Sequence, residues 1–367
     1  MKVLLFRALN LIASRCNKYV GYYQKEGIDF TAVGWDRTNS GIKKENYDFF
    51  RYSATARTGG GKAAINHLHW MRFIYKYLKQ HPETTTIHAC DLNSALPAVI
   101  YKKLHNRNLV IIFDACDWFS ANMATGKITK WLFECLEKYT YKGADKLIIC
   151  EPEREEQITF RLKEPPLVLP NIPEIDENLI SEHKGKYLFN NGWFTIAYFG
   201  GLSHDRFLIE LFELSKTEHF NLLIGGFGNK QVEELCEEIG ELDNVKYFGR
   251  MNMVDGLQMT NCADIIYAMY SKINPNHIYA APNKYYEAMF LGKPIISTKG
   301  TILEKKIVDN KIGYVIEEDV EELRNLIRTL KKEDIIKYGE NAHVLWQTKY
   351  KDYVKNFFEN QYKYLIK

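Results

Sequence analysis

The chain has 367 residues, of which 46% are apolar, 14% aromatic and 26% charged; that suits two or three packed domains of roughly 100–200 residues and excludes a disordered or fibrous chain. Its formal charge is +3, yet residues 1–147 hold 22 Lys and Arg against 12 Asp and Glu, and the rest hold 27 against 34. A basic half therefore precedes an acidic one, and no apolar run approaches the ~18 residues of a membrane span.

Short apolar runs alternate with longer helical patterns from the start. Residues 3–6, 30–33, 86–89, 109–114 and 146–150 read as strands, several continuous enough to be buried on both faces. Between them, residues 62–80 place Ile65, Leu68, Met71, Ile74, Tyr75 and Leu78 at helical spacing. Residues 94–106 and 126–141 carry further helical patterns. The proline-rich stretch that begins at Pro165-Pro166 and runs to Gly192 is the expected linker. A second series follows, with strands over 194–199, 220–224, 245–248, 264–268 and 294–297. Its helices are expected over 205–216, 229–239, 283–291 and 320–330. Alternation of this kind predicts two doubly wound α/β domains in series. Their expected limits are 1–185, joined by a returning C-terminal helix 346–367, and 186–345.

The early Arg7 breaks the apolar start too soon for a signal peptide. Seven Cys stand singly, without Cys-x-x-Cys spacing, as in reduced cytoplasmic proteins. A cytoplasmic location is expected. His67 and His69 are two apart on a helix and point to different sides, so they do not share a metal. The chain has no Asp-x-Asp pair, and no metal site is expected.

The most informative stretch is Ala281-Pro-Asn-Lys-Tyr-Tyr-Glu-Ala-Met-Phe-Leu-Gly-Lys-Pro294. Pro282 suits a first helical position, and Gly292 with Pro294 stops the helix. The free amides and dipole at its start form a phosphate site. Asn283 and Glu287 share one face, so Glu287 could accept a ribose diol while a diphosphate occupies the helix end. A solvated glutamate on an ordinary helix is the other reading. Gly200-Gly201 after a strand permits close backbone approach to a phosphate, or simply a tight turn. Arg206 and Lys284 offer positive charge to a diphosphate, or are ordinary solvated side chains. Gly225, Gly226 and Gly228 fall short of the dinucleotide fingerprint Gly-x-Gly-x-x-Gly.

These residues together resemble the retaining glycosyltransferases of family 4 (group 1), which have the GT-B fold. The stretch from Pro282 to Ile296 is similar to that family's nucleotide-sugar motif. Tyr198-Phe-Gly-Gly-Leu-Ser-His-Asp-Arg206 resembles the first strand and turn of its C-terminal domain. Leu222-Leu-Ile-Gly-Gly-Phe-Gly228 resembles its glycine turn, and Asn244-Val-Lys-Tyr-Phe-Gly-Arg-Met251 the segment that reads the base. In the first half, Ile87–Asp91 and Val110–Trp118 resemble the acidic strand ends that face the cleft. Two positions depart from the family: Tyr279 stands where a second Glu is common, and Cys116 where a His is common.

The resemblance implies two Rossmann-like domains facing across a cleft. It implies a nucleoside-diphosphate sugar as donor, UDP favoured over GDP, with no further cofactor and no metal. Donor contacts fall on Gly200, Gly201, Arg206, Gly226, Gly249, Arg250, Met251, Pro282, Asn283, Lys284 and Glu287. Asp91, Asp117, Arg206 and Glu287 are the expected catalytic group. The implied reaction transfers a sugar, with retention, to a hydroxyl of a glycan or lipid-linked acceptor in bacterial surface polysaccharide synthesis. A GT-B sugar-nucleotide epimerase and a non-catalytic binding partner of another transferase are the rival readings.

A basic first half suits an anionic partner: a diphosphate lipid, an acidic glycan or the inner membrane face. Residues 126–146 interleave five lysines with Trp131, Leu132, Phe133, Leu136, Tyr139 and Tyr141. Such a helix either lies at a headgroup layer or faces a core with its lysines in water. No nucleic-acid motif is present.

Overall fold

The structure is a computed structural model that describes residues 2–9, 14–52, 61–122, 126–174, 180 and 189–366. It contains two compact units, Met1–Asn171 with Tyr353–Lys367, and Ile172–Asp352. The expected boundary at 185/186 lies outside the described residues. Among the described residues no helix is long and apolar enough to cross a membrane.

Unit 1 holds a parallel sheet of seven strands: β1 (Lys2–Arg7), β2 (Asp29–Asp36), β3 (Tyr47–Arg51), β4 (Thr86–Cys90), β5 (Val110–Ala115), β6 (Lys146–Ile149) and β7 (Leu167–Val168). Their order is β3-β2-β1-β4-β5-β6-β7. Unit 2 repeats the plan with β8 (Thr195–Leu202), β9 (Asn221–Gly228), β10 (Val245–Tyr247), β11 (Ile265–Ala268), β12 (Ile295–Thr298) and β13 (Gly313–Ile316), ordered β10-β9-β8-β11-β12-β13. Strands such as Thr86–Cys90 and Ile295–Thr298 are buried along their whole length, as expected of a parallel sheet covered on both faces. In each sheet the order reverses between its first and fourth strands. The carboxyl ends at such a switch point form the usual ligand crevice of an open α/β sheet.

β7 explains why unit 1 extends to Asn171. Leu167 and Val168 pair with Ile148 and Ile149, and Arg15 Nη1 donates to the Leu169 carbonyl at 2.6 Å. The C-terminal return begins later than residue 346. Residues Trp346–Tyr350 form a π-helical turn whose Trp346 packs on Phe290 and whose Tyr350 packs on Tyr286, all within unit 2. From Tyr353 onward the chain belongs to unit 1.

A buried polar hub ties that return in place. Asp114, at the end of β5, takes Arg15 at both oxygens, 2.8 and 2.6 Å, and Tyr19 Oη at 2.9 Å. His88 Nε2 lies 3.3 Å from the same carboxylate, and its Nδ1 meets Tyr362 Oη at 2.8 Å. Tyr362 also bonds Tyr23 Oη at 2.5 Å, and Phe358 stacks on Tyr22. Despite burial, Arg15 and His88 hold the Asp114 carboxyl well below the usual carboxylate range.

The helix Gly61–Gln80 buries the expected stripe only in its second half. Trp70, Ile74, Tyr77 and Leu78 are buried, whereas Ile65 and Leu68 are exposed. Twenty residues make a helix of about 30 Å, and the five-residue β4 spans only about 17 Å. The first turns therefore overhang the sheet. The pattern expected over 205–216 is also interrupted: the 3₁₀ turn His204–Arg206 ends at Phe207 in the left-handed region (φ 52°), and the helix Leu208–Ser215 starts afresh.

Candidate functional site

At the carboxyl end of β8 the chain passes through Gly200 and Gly201 toward Arg206. The helix Asn283–Leu291 opens beside this turn, with Pro282 at the cap position rather than inside the first turn. Pro282 brings no capping side chain, and its carbonyl accepts the Tyr285 amide at 3.2 Å. Gly292 closes the helix in the left-handed region at φ 63°.

Lys284 is buried and bends back across the turn. Its Nζ donates to the Phe199 carbonyl and lies over the Tyr198 ring at 4.8 Å. A Cβ at position 200 would sit 3.1 Å from that Nζ, whereas one at 201 would meet nothing. Gly200 therefore makes room for the lysine, and Gly201 borders open space. Tyr198 Oη donates to the Gly201 carbonyl at 2.6 Å and holds the turn.

Glu287, one turn into the helix, is partly buried and has no hydrogen bond or ion pair with another described residue. Burial raises its carboxyl pKa, and Lys284 opposes the rise. Burial lowers the Lys284 pKa, with Glu287 opposing and Arg206 adding to the fall. The two groups are thus paired by field rather than by contact, and each is poised to accept a better partner.

Arg206 is fixed by its surroundings. Its guanidinium stacks on Tyr270 at 4.4 Å, and Nη1 lies 3.4 Å from His277 Nε2. His277 Nδ1 faces the Ser271 carbonyl at 3.0 Å, which leaves Nε2 as the acceptor toward Arg206. Burial, then Arg206, lowers the His277 pKa. Tyr270, just past β11, is pushed up to about 12, by burial first. The site thus gathers Gly200, Gly201, Arg206, Lys284 and Glu287, a cationic turn with one unengaged carboxylate.

The other expected donor contacts are placed less directly. Gly226 has φ 149°, and a Cβ there would run into the Gly200 carbonyl oxygen. Its own N–H donates to the Gly249 carbonyl at 2.7 Å. It therefore supports the turn from behind. Gly249 has φ 62°, and the next residue, Arg250, lies over the exposed Phe227 ring at 4.3 Å. Met251 and Asn283 are half-buried; Asn283 opens the helix that carries Lys284 and Glu287.

Asp91 and Asp117 meet at the switch point of unit 1. Asp91 follows β4 with φ 66° and ψ 164°, a conformation nearly reserved for glycine. Its Oδ1 accepts the Cys116 and Asp117 amides at 3.1 and 3.3 Å. Burial raises its pKa to about 6, with Arg7 opposing and Asp117 adding. Asp117 pairs with Arg154 Nη2 at 3.2 Å. Arg154 is only 3% exposed, and its Nε and Nη1 have no partner. Around Arg154 the chain forms a 3₁₀ turn, Pro152–Gln157, which buries Arg154 beside Glu151 and leaves Glu155 and Glu156 exposed.

Arg7, His277, Tyr198 and Tyr270 escaped sequence reasoning. Arg7 ends β1 beside the thiols Cys16, Cys90 and Cys116; hydrogen bonding to Cys90, aided by Arg7, brings Cys16 down to about 7. A charged residue closing an apolar strand was the available signal. His88, Cys90 and Asp114 are the group of metal-type donors found among the described residues. The Arg15, Tyr19 and Tyr362 bonds already engage that carboxylate and imidazole.

Residues 181–351 match the family described as Glycosyl transferases group 1, so the whole Arg206–Lys284–Glu287 group lies inside the matched segment. Solved structures similar to the full chain include sucrose-phosphate synthase from Thermosynechococcus elongatus (TM-score 0.75, 14% identity, 100% of this chain and 99% of that one). HepE of Anabaena in complex with UDP gives TM-score 0.70 and 13% identity, covering 100% of both chains. WaaG, a glycosyltransferase involved in lipopolysaccharide biosynthesis, gives TM-score 0.64 at 15% identity, covering 95% of this chain and 96% of that one. No curated protein matches in sequence. The fold is that of the GT-B glycosyltransferases, with two parallel Rossmann-like sheets, and the stretch that matches the group 1 family lies in the second unit.

Proposed function

We propose that the protein is a retaining glycosyltransferase that moves a sugar from a nucleoside-diphosphate sugar to a hydroxyl of a glycan or lipid-linked acceptor. The reading rests above all on one observation. Gly201 borders open space beside Arg206, Lys284 and an unengaged Glu287, at the switch point of a sheet within the group 1 segment. In this reading the diphosphate lies against the Gly200-Gly201 turn and the amides of Asn283 and Lys284. Arg206 and Lys284 neutralise the charge that grows on the leaving diphosphate, and Glu287 accepts the ribose hydroxyls. UDP is the favoured nucleotide; the similar HepE structure is in complex with UDP.

Unit 1 is the acceptor side of this reading, with Asp91 and Asp117 facing the hydroxyl-bearing substrate. In a front-face route the departing diphosphate takes the acceptor proton, so rate comes from positioning and charge stabilisation. No metal or further cofactor enters the proposal. Surface-polysaccharide synthesis at the inner membrane face is the proposed setting.

Incubation with radiolabelled UDP-, GDP- and ADP-sugars, with and without a membrane extract, tests the reading. Label incorporated only with extract supports transfer. A donor sugar altered without any acceptor would instead establish an epimerase, and binding without turnover a non-catalytic partner.

A further inference from the structure

Four buried thiols gather at the carboxyl rim of the unit 1 sheet, and neither the transfer reading nor the polar hub uses them. Cys16 comes from the helix Ser14–Lys25, Cys90 ends β4, and Cys116 and Cys150 follow β5 and β6. Cys90 stands in the middle, hydrogen-bonded to Cys16 on one side and to Cys116 on the other. Cys150 is engaged elsewhere, its Sγ donating to the Cys116 carbonyl at 3.1 Å. Two arginines border the group with donors to spare. Arg7 Nη1 lies 3.7 Å from Cys16 Sγ, and its buried Nε has no partner among the described residues. Arg154, with Nε and Nη1 also unpartnered, lies near Cys150 and Cys116. Guanidinium donors buried among thiols lack an acceptor that an ionised or oxidised sulfur can supply.

The thiols are not equivalent. Cys16 alone meets both a guanidinium and a second thiol, the setting that favours a thiolate. The bond to Cys90 also favours ionisation of Cys116, but burial and Asp91 raise Cys116 above the ordinary thiol value. Cys90 is held well up by its bonds to Cys116 and Cys16 and by burial, so it keeps its proton. A nucleophilic sulfur touching a protonated one is the pairing of a peroxide-sensitive dithiol. We propose that Cys16 and Cys90 form a reversible disulfide when the protein meets hydrogen peroxide. The Cys16 sulfur attacks one peroxide oxygen and the O–O bond breaks. Hydroxide leaves as water with the proton that Cys16 gave up, and Cys16 becomes a sulfenic acid. The Cys90 sulfur then attacks the Cys16 sulfur, forming the S–S bond. The sulfenic hydroxyl departs with the Cys90 proton as a second water. Two thiols are thus oxidised to one disulfide while one peroxide is reduced to two waters.

Sulfurs already in hydrogen-bond contact need move little to reach the ~2 Å of a disulfide. Both are closed to solvent and Cys116 is 8% exposed, so peroxide, little larger than water, enters by local opening of the rim. The link joins two parts that order unit 1. Arg15 and Lys18, on either side of Cys16, hold the Leu169 and Pro170 carbonyls at 2.6 and 3.1 Å. Asp91, directly after Cys90, fixes the Cys116 and Asp117 amides. Oxidation therefore couples the strained Asp91 rim to the segment that closes unit 1. The site goes beyond the transfer reaction and stands whether or not a donor is bound.

Peptide mass mapping without reductant, after the full chain has met hydrogen peroxide, tests the proposal. A Cys135→Ser background removes the exposed surface thiol. A peptide cross-linked through Cys16 and Cys90 should appear, with two thiols lost to titration, and dithiothreitol should restore both. Cys16→Ala and Cys90→Ala should each abolish the cross-link, whereas Cys116→Ala should leave its rate within about twofold. Arg7→Met should slow its formation roughly two- to fivefold. Peroxide that oxidises Cys135 of the parent yet leaves Cys16 and Cys90 as free thiols overturns the proposal. So does a bond between Cys90 and Cys116 in its place, or oxidation of Cys16 past the sulfenic acid without any cross-link. Calorimetry with UDP on the same samples keeps the two readings apart, because a failure to bind UDP counts against the transfer reading alone.

Discussion

At the carboxyl end of β8 the second unit sets two glycines, a buried lysine and a stacked arginine around one unengaged carboxylate. At the matching end of β1 the first sets Arg7 among three thiols, with Asp91 held in a strained backbone. Strand order is the same in both sheets through six strands. The frame dictates only where a ligand can lie; the residues that end each strand decide its charge. Unit 2 ends in cations and open backbone, suited to a diphosphate. Unit 1 ends in acids whose neighbours are already arranged, suited to holding hydroxyls in fixed directions.

The largest expected effect tests how far unit 1 depends on its hub. Arg15→Met leaves Asp114 buried without its bidentate partner, and should cost about 3–5 kcal/mol in denaturant unfolding. The loss should fall on unit 1 and spare UDP binding by unit 2. Asp114 is depressed in the fold, so its contribution is full above the ordinary carboxylate value and fades as pH falls toward its folded value. Acid unfolding of the parent should therefore begin in unit 1.

Next in size is Glu287→Ala, which should weaken UDP-sugar binding roughly 10- to 100-fold in calorimetry, the range of charge-assisted hydrogen bonds. Unchanged affinity would remove Glu287 from the donor site. A smaller effect separates fold from function at Asp91. Asp91→Gly relieves the positive φ, a gain of ~1 kcal/mol to unit 1, which the loss of the Cys116 and Asp117 amide bonds offsets, while transfer should fall. Because Asp91 is raised to about 6 in the fold, its ionisation costs stability as pH rises from the ordinary value through 6. The gain in the variant should thus be larger at neutral pH than at pH 4. The mildest prediction concerns Lys284: UDP affinity should fall as pH rises through its depressed pKa, and Lys284→Met should flatten that slope.

Local features were legible in the sequence. The helix at 283–291, which carries Lys284, and its Gly292 stop follow from one stretch of chain, and Arg206 arrives at the site through the turn His204–Arg206. The alternation of strands and helices was equally plain, because parallel strands buried on both faces read as apolar runs. The edge strands β3 and β13 were not, since Tyr47–Arg51 and Gly313–Ile316 are short and partly exposed. Asp91 and Asp117 were named from the sequence, but what surrounds them escaped for another reason. Arg7, Cys16, Asp91, Asp117 and Arg154 come from five segments spread over most of unit 1, and no local period announces their meeting. The apolar spacing of Ile65 and Leu68 misled, because periodicity reports a face but not where the sheet beneath it stops.

Tyr362 carries a consequence for biosynthesis. It reaches Tyr23 and His88 only after unit 2 has been made, so unit 1 must wait for a segment that follows unit 2. During that interval the aromatic surface around Tyr19 and Tyr22 lies uncovered. The nascent chain is then most in need of a chaperone just when unit 2 is being translated.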